Sequence, residues 1–150
     1  MKTFNKKFNC KRDFENEVFF LKKLSKYDCF PKIIRILNME IEMSFCGTNF
    51  VELYGIEDWR QQIKNILNIL QKEKIYHNDF HQNNFLRKNK KIFLIDFAWA
   101  SLDEERKPYC NIDYENVEKC KNFFELMTIT KHKTKIKTIH ELGLWKPKTP

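Results

Sequence analysis

His77-Asn78-Asp79-Phe80-His81-Gln82-Asn83-Asn84, followed by Leu94-Ile95-Asp96-Phe97, decides how this chain is read. The two stretches set two carboxylates and one carboxamide at separations suited to metal-assisted phosphoryl transfer. Asn84 follows Asp79 by five residues, and Asp96 follows Asn84 by twelve. Between them lie Phe85-Leu86, the basic run Arg87-Lys88-Asn89-Lys90-Lys91, and Ile92-Phe93-Leu94-Ile95. That order predicts a short strand, a turn over the basic run and a second strand, which brings Asn84 and Asp96 to one mouth. A carboxylate and an amide oxygen held side by side suit Mg²⁺, a hard cation that takes oxygen ligands and keeps waters and substrate phosphates. Asp79, on the preceding loop, is placed to orient an attacking hydroxyl or accept its proton.

These residues resemble the catalytic and metal-binding loops of the protein-kinase-like superfamily, His-x-Asp-x-x-x-x-Asn and then a strand ending in Asp-Phe-Gly. The resemblance implies an α+β kinase-like fold: a shortened N-lobe of one small antiparallel sheet and a helix, and a reduced, mainly helical C-lobe. It implies roles as well. Asp79 matches the catalytic aspartate, Asn84 and Asp96 the metal-binding pair, and His77 the histidine beneath the catalytic loop, with Phe97 beside the cofactor. Two positions depart from the pattern. Ala98 stands in place of the glycine, which fits if φ stays negative there and disfavours a freely flipping switch. His81 replaces the usual lysine two residues after the aspartate. The form His-x-Asp-x-His-x-x-Asn looks more like aminoglycoside, choline and lipopolysaccharide-core kinases than like eukaryotic serine/threonine kinases.

A competing reading makes His77, Asp79, His81 and Asp96 ligands of a zinc or two-metal hydrolase centre. It leaves Asn84 and the second strand without a role. Taken alone, His77 reads as a buried, hydrogen-bonded structural histidine.

At 150 residues with 42% hydrophobic side chains and 14 Phe, the chain is long enough to bury a core as one domain, and it is shorter than two-lobed kinases. The expected division is a reduced N-lobe and hinge over about 1–47, a C-lobe core over 48–127 and a basic tail over 128–150. No apolar run approaches a bilayer span, and Met1-Lys2-Thr3-Phe4 lacks a signal-peptide core, so a cytoplasmic protein is expected. Five cysteines without a Cys-x-x-Cys spacing point to reduced thiols. The net charge of +8 gathers near the start and in the tail. Nothing resembles a nucleic-acid-binding motif, and a solvated basic face that helps to hold ATP is the favoured account.

Phe14, Val18, Leu21 and Leu24 recur at helical spacing after Asp13, which predicts a helix over Asp13–Lys26 with Asp13 as its N-cap. Glu17 shares that apolar face, where a carboxylate needs a cation; Glu15 falls on the polar side. Ile33–Leu37 and Ile41–Phe45, separated by Asn38-Met39-Glu40, predict a hairpin. A helix is predicted from about Asp58 to Lys74 and another from about Tyr114 to Met127, with Asp113 as its N-cap or as a buried brace for the catalytic loop.

The resemblance makes Glu17 the partner of a strand lysine that holds the ATP phosphates. Lys2 suits that place by spacing, with Lys6 and Lys7 as alternatives. By the order of elements, Met43 faces the adenine pocket, and Ser44 to Cys46 offer main-chain groups to the base. No Gly-x-Gly-x-x-Gly occurs and no glycine precedes Gly47, so slow turnover or weak ATP binding is expected. The function implied is an ATP- and Mg²⁺-dependent phosphotransferase acting on a protein Ser/Thr, saccharide or small-molecule hydroxyl. The alternative is an inactive kinase-fold binding module.

Overall fold

The computed structural model describes residues 2–49, 55–102 and 111–129. The elements run β1 (Thr3–Lys7), α1 (Lys11–Lys23), β2 (Ile33–Leu37), β3 (Glu40–Ser44), β4 (Thr48–Asn49), α2 (Trp59–Glu73), β5 (Phe85–Lys88), β6 (Lys91–Leu94) and α3 (Tyr114–Lys119). Both sheets are antiparallel, one ordered β1-β3-β2 and the other β4-β5-β6. The architecture is α+β.

β3 is central to the first sheet because Ile41 and Met43 alternate with polar neighbours and bury one face, as period-two side-chain direction requires. Its register with β1 pairs Lys6 with Ile41 and Phe4 with Met43, so Phe4 and Lys6 stand on that inward face. α1 covers it, burying Glu17, Phe20 and Leu21. The helix starts earlier than predicted. Cys10 is the N-cap, with its carbonyl taking the Phe14 N–H at 3.1 Å, and Asp13 sits inside the first turn. There its charge complements the helix dipole's positive end, and it makes no capping hydrogen bond.

α2 matches its predicted span, from Asp58 as N-cap to Lys74, a left-handed C-cap at φ 58°. Trp59, Ile63, Ile66 and Leu70 form its buried face. The β5–β6 hairpin is longer than predicted. Arg87 pairs with Ile92 and Lys88 with Lys91, leaving only Asn89-Lys90 in the turn. Asn89 takes φ 56°, a conformation asparagine tolerates better than most residues. Gly47 leads into β4 at φ 105°, and a Cβ there would stand 1.8 Å from the Arg87 carbonyl oxygen; the close approach of the strands demands glycine.

The predicted Tyr114–Met127 helix is broken. α3 ends at Lys119, Cys120 is extended (ψ 139°), and helix resumes over 123–129. Asn122 causes the restart, accepting the Glu125 N–H at 2.8 Å as an N-terminal cap does.

An aromatic series runs through the core. Phe30 meets Phe97 edge-on at 5.6 Å, and Phe97 meets His77 at 4.8 Å. His77 then packs on Phe80, Phe80 on Phe85, Phe85 on Phe123 and Phe123 on Trp59. Such pairs each add about 0.5–1.5 kcal/mol beyond area burial, and this series ties the loop before β5 to α2 and to the helical turn at 123. Among the described residues, Cys10, Cys29, Cys46 and Cys120 are free, and burial pushes the Cys29 thiol up to about 11. Cys110 and most of the basic tail lie outside the described residues. No described helix is long and apolar enough to cross a membrane.

Candidate functional site

The hairpin register sets the site. Phe85 opposes Leu94, and the Ile95 N–H donates to the Asn84 carbonyl at 2.9 Å, so Asn84 and Asp96 emerge at the same end of β5 and β6. Asn84 ends a single 3₁₀ turn, Gln82–Asn84, whose N-cap is His81; the His81 Nδ1 accepts the Asn83 N–H at 3.2 Å. The Asn84 amide nitrogen donates to the Asp79 carbonyl at 2.8 Å and to Asp79 Oδ2 at 3.2 Å. That assignment turns the amide oxygen away from the two Asp79 acceptors, so it is the atom of Asn84 that could take a cation. His81 Nε2 also lies 3.5 Å from Asp79 Oδ1.

Asp96 has φ 66°, while Ala98 is absent from the positive-φ residues. The left-handed position falls on the aspartate, and alanine in place of glycine two residues later carries no backbone strain. Asp96 Oδ1 accepts Lys6 Nζ at 3.0 Å and the Ala98 N–H at 3.3 Å. Both bonds use Oδ1, so Oδ2 is the oxygen that could take a cation.

Lys6 also pairs with Glu17, whose second oxygen accepts the Phe97 N–H. The lysine on Glu17 is therefore Lys6, not Lys2. Lys2 Nζ lies over the Phe45 ring, 4.2 Å from its centroid. Strand register explains the correction: Lys6 stands opposite Ile41 on the inward face of the sheet, while Lys2 precedes β1. Burial works against the Lys6 charge, yet the Glu17 and Asp96 carboxylates outweigh it and raise the ammonium's pKa above its ordinary value. Glu17 is 1% exposed, and burial pushes its carboxyl above the usual range while Lys6 pulls it back.

His77 is fully buried. Its Nε2 donates to the Ile95 carbonyl at 2.9 Å and its Nδ1 accepts the Asp79 N–H at 3.1 Å, a pairing that assigns the neutral Nε2–H tautomer. Burial lowers its pKa. With both nitrogens engaged by main chain, His77 is neither base nor metal ligand, and it positions Asp79 and Asp96 together. Among the described residues, no group of three or more His, Cys, Asp or Glu is arranged to hold a metal. The zinc-type reading fails on His77 itself.

A cavity of about 360 Å³ opens here, lined by Lys6, Asp79 and Asp96 together with Cys10, Asp13 and Trp99. Asp96 lines the cavity and Asn84 lies behind Asp79; an amide and a carboxylate oxygen are the donor types that suit a cation completing its shell with waters and phosphates, as Mg²⁺ does.

Other expected contacts move. Phe97 is 0% exposed, packed against Phe30 and His77, so its side chain supports the site from beneath rather than meeting a cofactor. Met43 is buried within the core cluster on the inward face of β3. The Ser44 N–H donates to the Lys32 carbonyl at 2.9 Å, and its hydroxyl accepts the Lys32 N–H at 2.9 Å. Ser44 is thus engaged with Lys32 through both its main-chain N–H and its hydroxyl. Cys46 is buried, its thiol 3.6 Å from the Ser44 carbonyl.

Asp113 is the α3 N-cap, in a reciprocal capping box with Asn116. The brace is Asn111 instead. Its Oδ1 accepts the Asn78 N–H at 2.9 Å, and its Nδ2 donates to Asn78 Oδ1 at 2.8 Å. Asn78, at φ 69°, donates onward to the Trp99 carbonyl and Ser101 Oγ. Sequence reasoning missed Asn16, Asn78, Ser101 and Asn111. Asn78 alone carried a hint, since asparagine tolerates a left-handed turn inside His77-Asn78-Asp79.

A search among curated proteins finds no match. The family model for the RIO domain matches residues 2–137, a span holding both sheets and every site residue described above. RIO family members are atypical protein kinases, so the kinase-like resemblance holds at the level of the superfamily and the α+β elements form a reduced kinase-like fold. The match covers well over half of the chain, and this protein belongs to the RIO domain family.

Proposed function

We propose that the chain is an ATP- and Mg²⁺-dependent phosphotransferase that moves the γ-phosphoryl group to a hydroxyl acceptor. The observation that carries this reading is the junction of Lys6 with Glu17 and Asp96 at a cavity that Lys6, Asp79 and Asp96 line, with Asn84 bonded to Asp79 behind it. Glu17 holds Lys6 extended toward the cavity, where its ammonium meets phosphate oxygens. Asn84 and Asp96 would hold the cation through oxygen atoms. Bound there, Mg²⁺ supplies charge neutralisation of the phosphate oxygens. Asp79 takes the acceptor's proton as the acceptor oxygen bonds to the γ-phosphorus and the bond to the ADP oxygen breaks. His77 fixes the Asp79 main chain, and Phe45–Cys46 offer main-chain groups to the base.

The chain acts as one minimal cytoplasmic domain, with residues 1–47 as the N-lobe and hinge, 48–127 as the C-lobe core and 128–150 as a basic tail. The acceptor is a protein Ser/Thr, a saccharide or a small alcohol. His81 beside Asp79 supports the likeness to kinases of sugars and small alcohols, whose loops carry histidine there. Labelled ATP offered with a panel of hydroxyl acceptors tests the reading. Transfer that is lost in Asp79→Asn is expected; Mg-ATP binding without any transfer or hydrolysis would make the chain a binding module.

A further inference from the structure

Asp96 sits in a left-handed backbone position that an L-residue keeps only when its surroundings impose it. The main-chain groups on either side show what imposes it. The Ile95 N–H goes to the Asn84 carbonyl, and the Ile95 carbonyl to His77. The Phe97 N–H goes to Glu17, and the Phe97 carbonyl takes both the Ala100 N–H at 3.1 Å and Asn16 Nδ2 at 3.2 Å. Asn84, His77 and Glu17 belong to the site already described, and Ala100 to the segment itself. Asn16 comes from α1 and reaches further: the same nitrogen lies 2.9 Å from the Ala98 carbonyl and 2.8 Å from the Ala100 carbonyl. One carboxamide with two hydrogens thus spans three carbonyls of the segment after Asp96.

Asn16 pays for nothing as a helix residue. It lies in the interior of α1, where asparagine is a poorer helix former than alanine. Its half-buried side chain is explained by the carbonyls it reaches.

We infer that Asn16 is a positioning residue for Asp96: it latches the 97–100 segment to α1 and holds the Asp96 carboxylate toward the cation and Lys6. The inference rests on the phosphotransferase reading for its consequence and on hydrogen bonding alone for the latch. Asn16 and Glu17, adjacent on one helix, bond the carbonyl and the N–H of the same residue, Phe97, which ties the Asp96 loop to α1.

Two variants test it. Asn16→Ala removes the donor, and Asn16→Asp sets a carboxylate against three carbonyl oxygens. In the ligand-free chain, amide exchange over 97–101 is expected to quicken about tenfold in both, more in Asn16→Asp, with α2 unchanged. The Mg²⁺ concentration that half-saturates the ATP-induced melting shift should rise about tenfold, with little change in ATP affinity once Mg²⁺ is saturating. A merely helical role predicts the opposite for Asn16→Ala, a more stable α1 and unaltered Mg²⁺ dependence. Unchanged exchange overturns the latch. Faster exchange with unchanged Mg²⁺ dependence overturns the positioning role. Absence of any Mg-ATP shift in the unsubstituted chain overturns the phosphotransferase reading, and is told apart because it precedes any substitution.

Discussion

Lys6 Nζ stands 3.0 Å from Asp96 Oδ1, across ninety residues of chain, while the same ammonium is paired with Glu17. This one nitrogen joins β1, α1 and the end of β6. Replacing it by Lys6→Met leaves the buried Glu17 without its cation, which costs on the order of 3 kcal/mol when a buried pair is broken. Mg-ATP affinity should fall about tenfold or more with the loss of a charge-assisted contact. Lys2→Met should leave that affinity within about twofold, since Lys2 lies over Phe45. Titration calorimetry of the two variants checks the assignment.

The pH dependence of stability follows from His77. Its ordinary value is 6.5 and burial lowers it in the folded chain. Below pH 6.5 the unfolded chain therefore takes up a proton that the native chain refuses, and stability falls as pH drops from there toward the native pKa. Urea unfolding between pH 5 and pH 8 should show this loss. Repeating it with His77→Gln, which has no proton to gain in that range, should remove that component of the slope, although the variant starts about 2 kcal/mol less stable from disturbed buried hydrogen bonds.

Asn111 and Asp113 separate by consequence. Asn111→Ala leaves the Asn78 N–H and Oδ1 without their partner, a loss of about 2 kcal/mol, and should slow phosphoryl transfer by loosening the turn before Asp79. Asp113→Ala removes only a helix cap and should cost about 1 kcal/mol with transfer per folded molecule unchanged. Denaturation and turnover measured on both variants distinguish the brace from the cap.

The parts of this molecule visible in its residues are those built by local pattern. Two short apolar runs around a basic turn made the β5–β6 hairpin legible, and with it the placing of Asn84 and Asp96 at one end of the hairpin. Periodicity made α2 legible to within one residue of each end. The choice among Lys2, Lys6 and Lys7 was not, because it depends on which residue of β1 faces Ile41, a matter of pairing between strands distant in sequence. The split after Lys119 was hidden because Val117, Cys120 and Phe123 keep helical spacing through a bend that Asn122 restarts. Asparagines carry no periodic signal, and Asn16, Asn78 and Asn111 acquire meaning only from the carbonyls and amides that folding brings to them.

The most direct measurement is the binding of Mg-ATP to the unsubstituted chain and to Asp96→Asn by titration calorimetry. One site per chain is expected, weakened about tenfold or more by the substitution and dependent on Mg²⁺. Binding of equal strength in Asp96→Asn, or no binding to the unsubstituted chain, would contradict a cation held between Asn84 and Asp96.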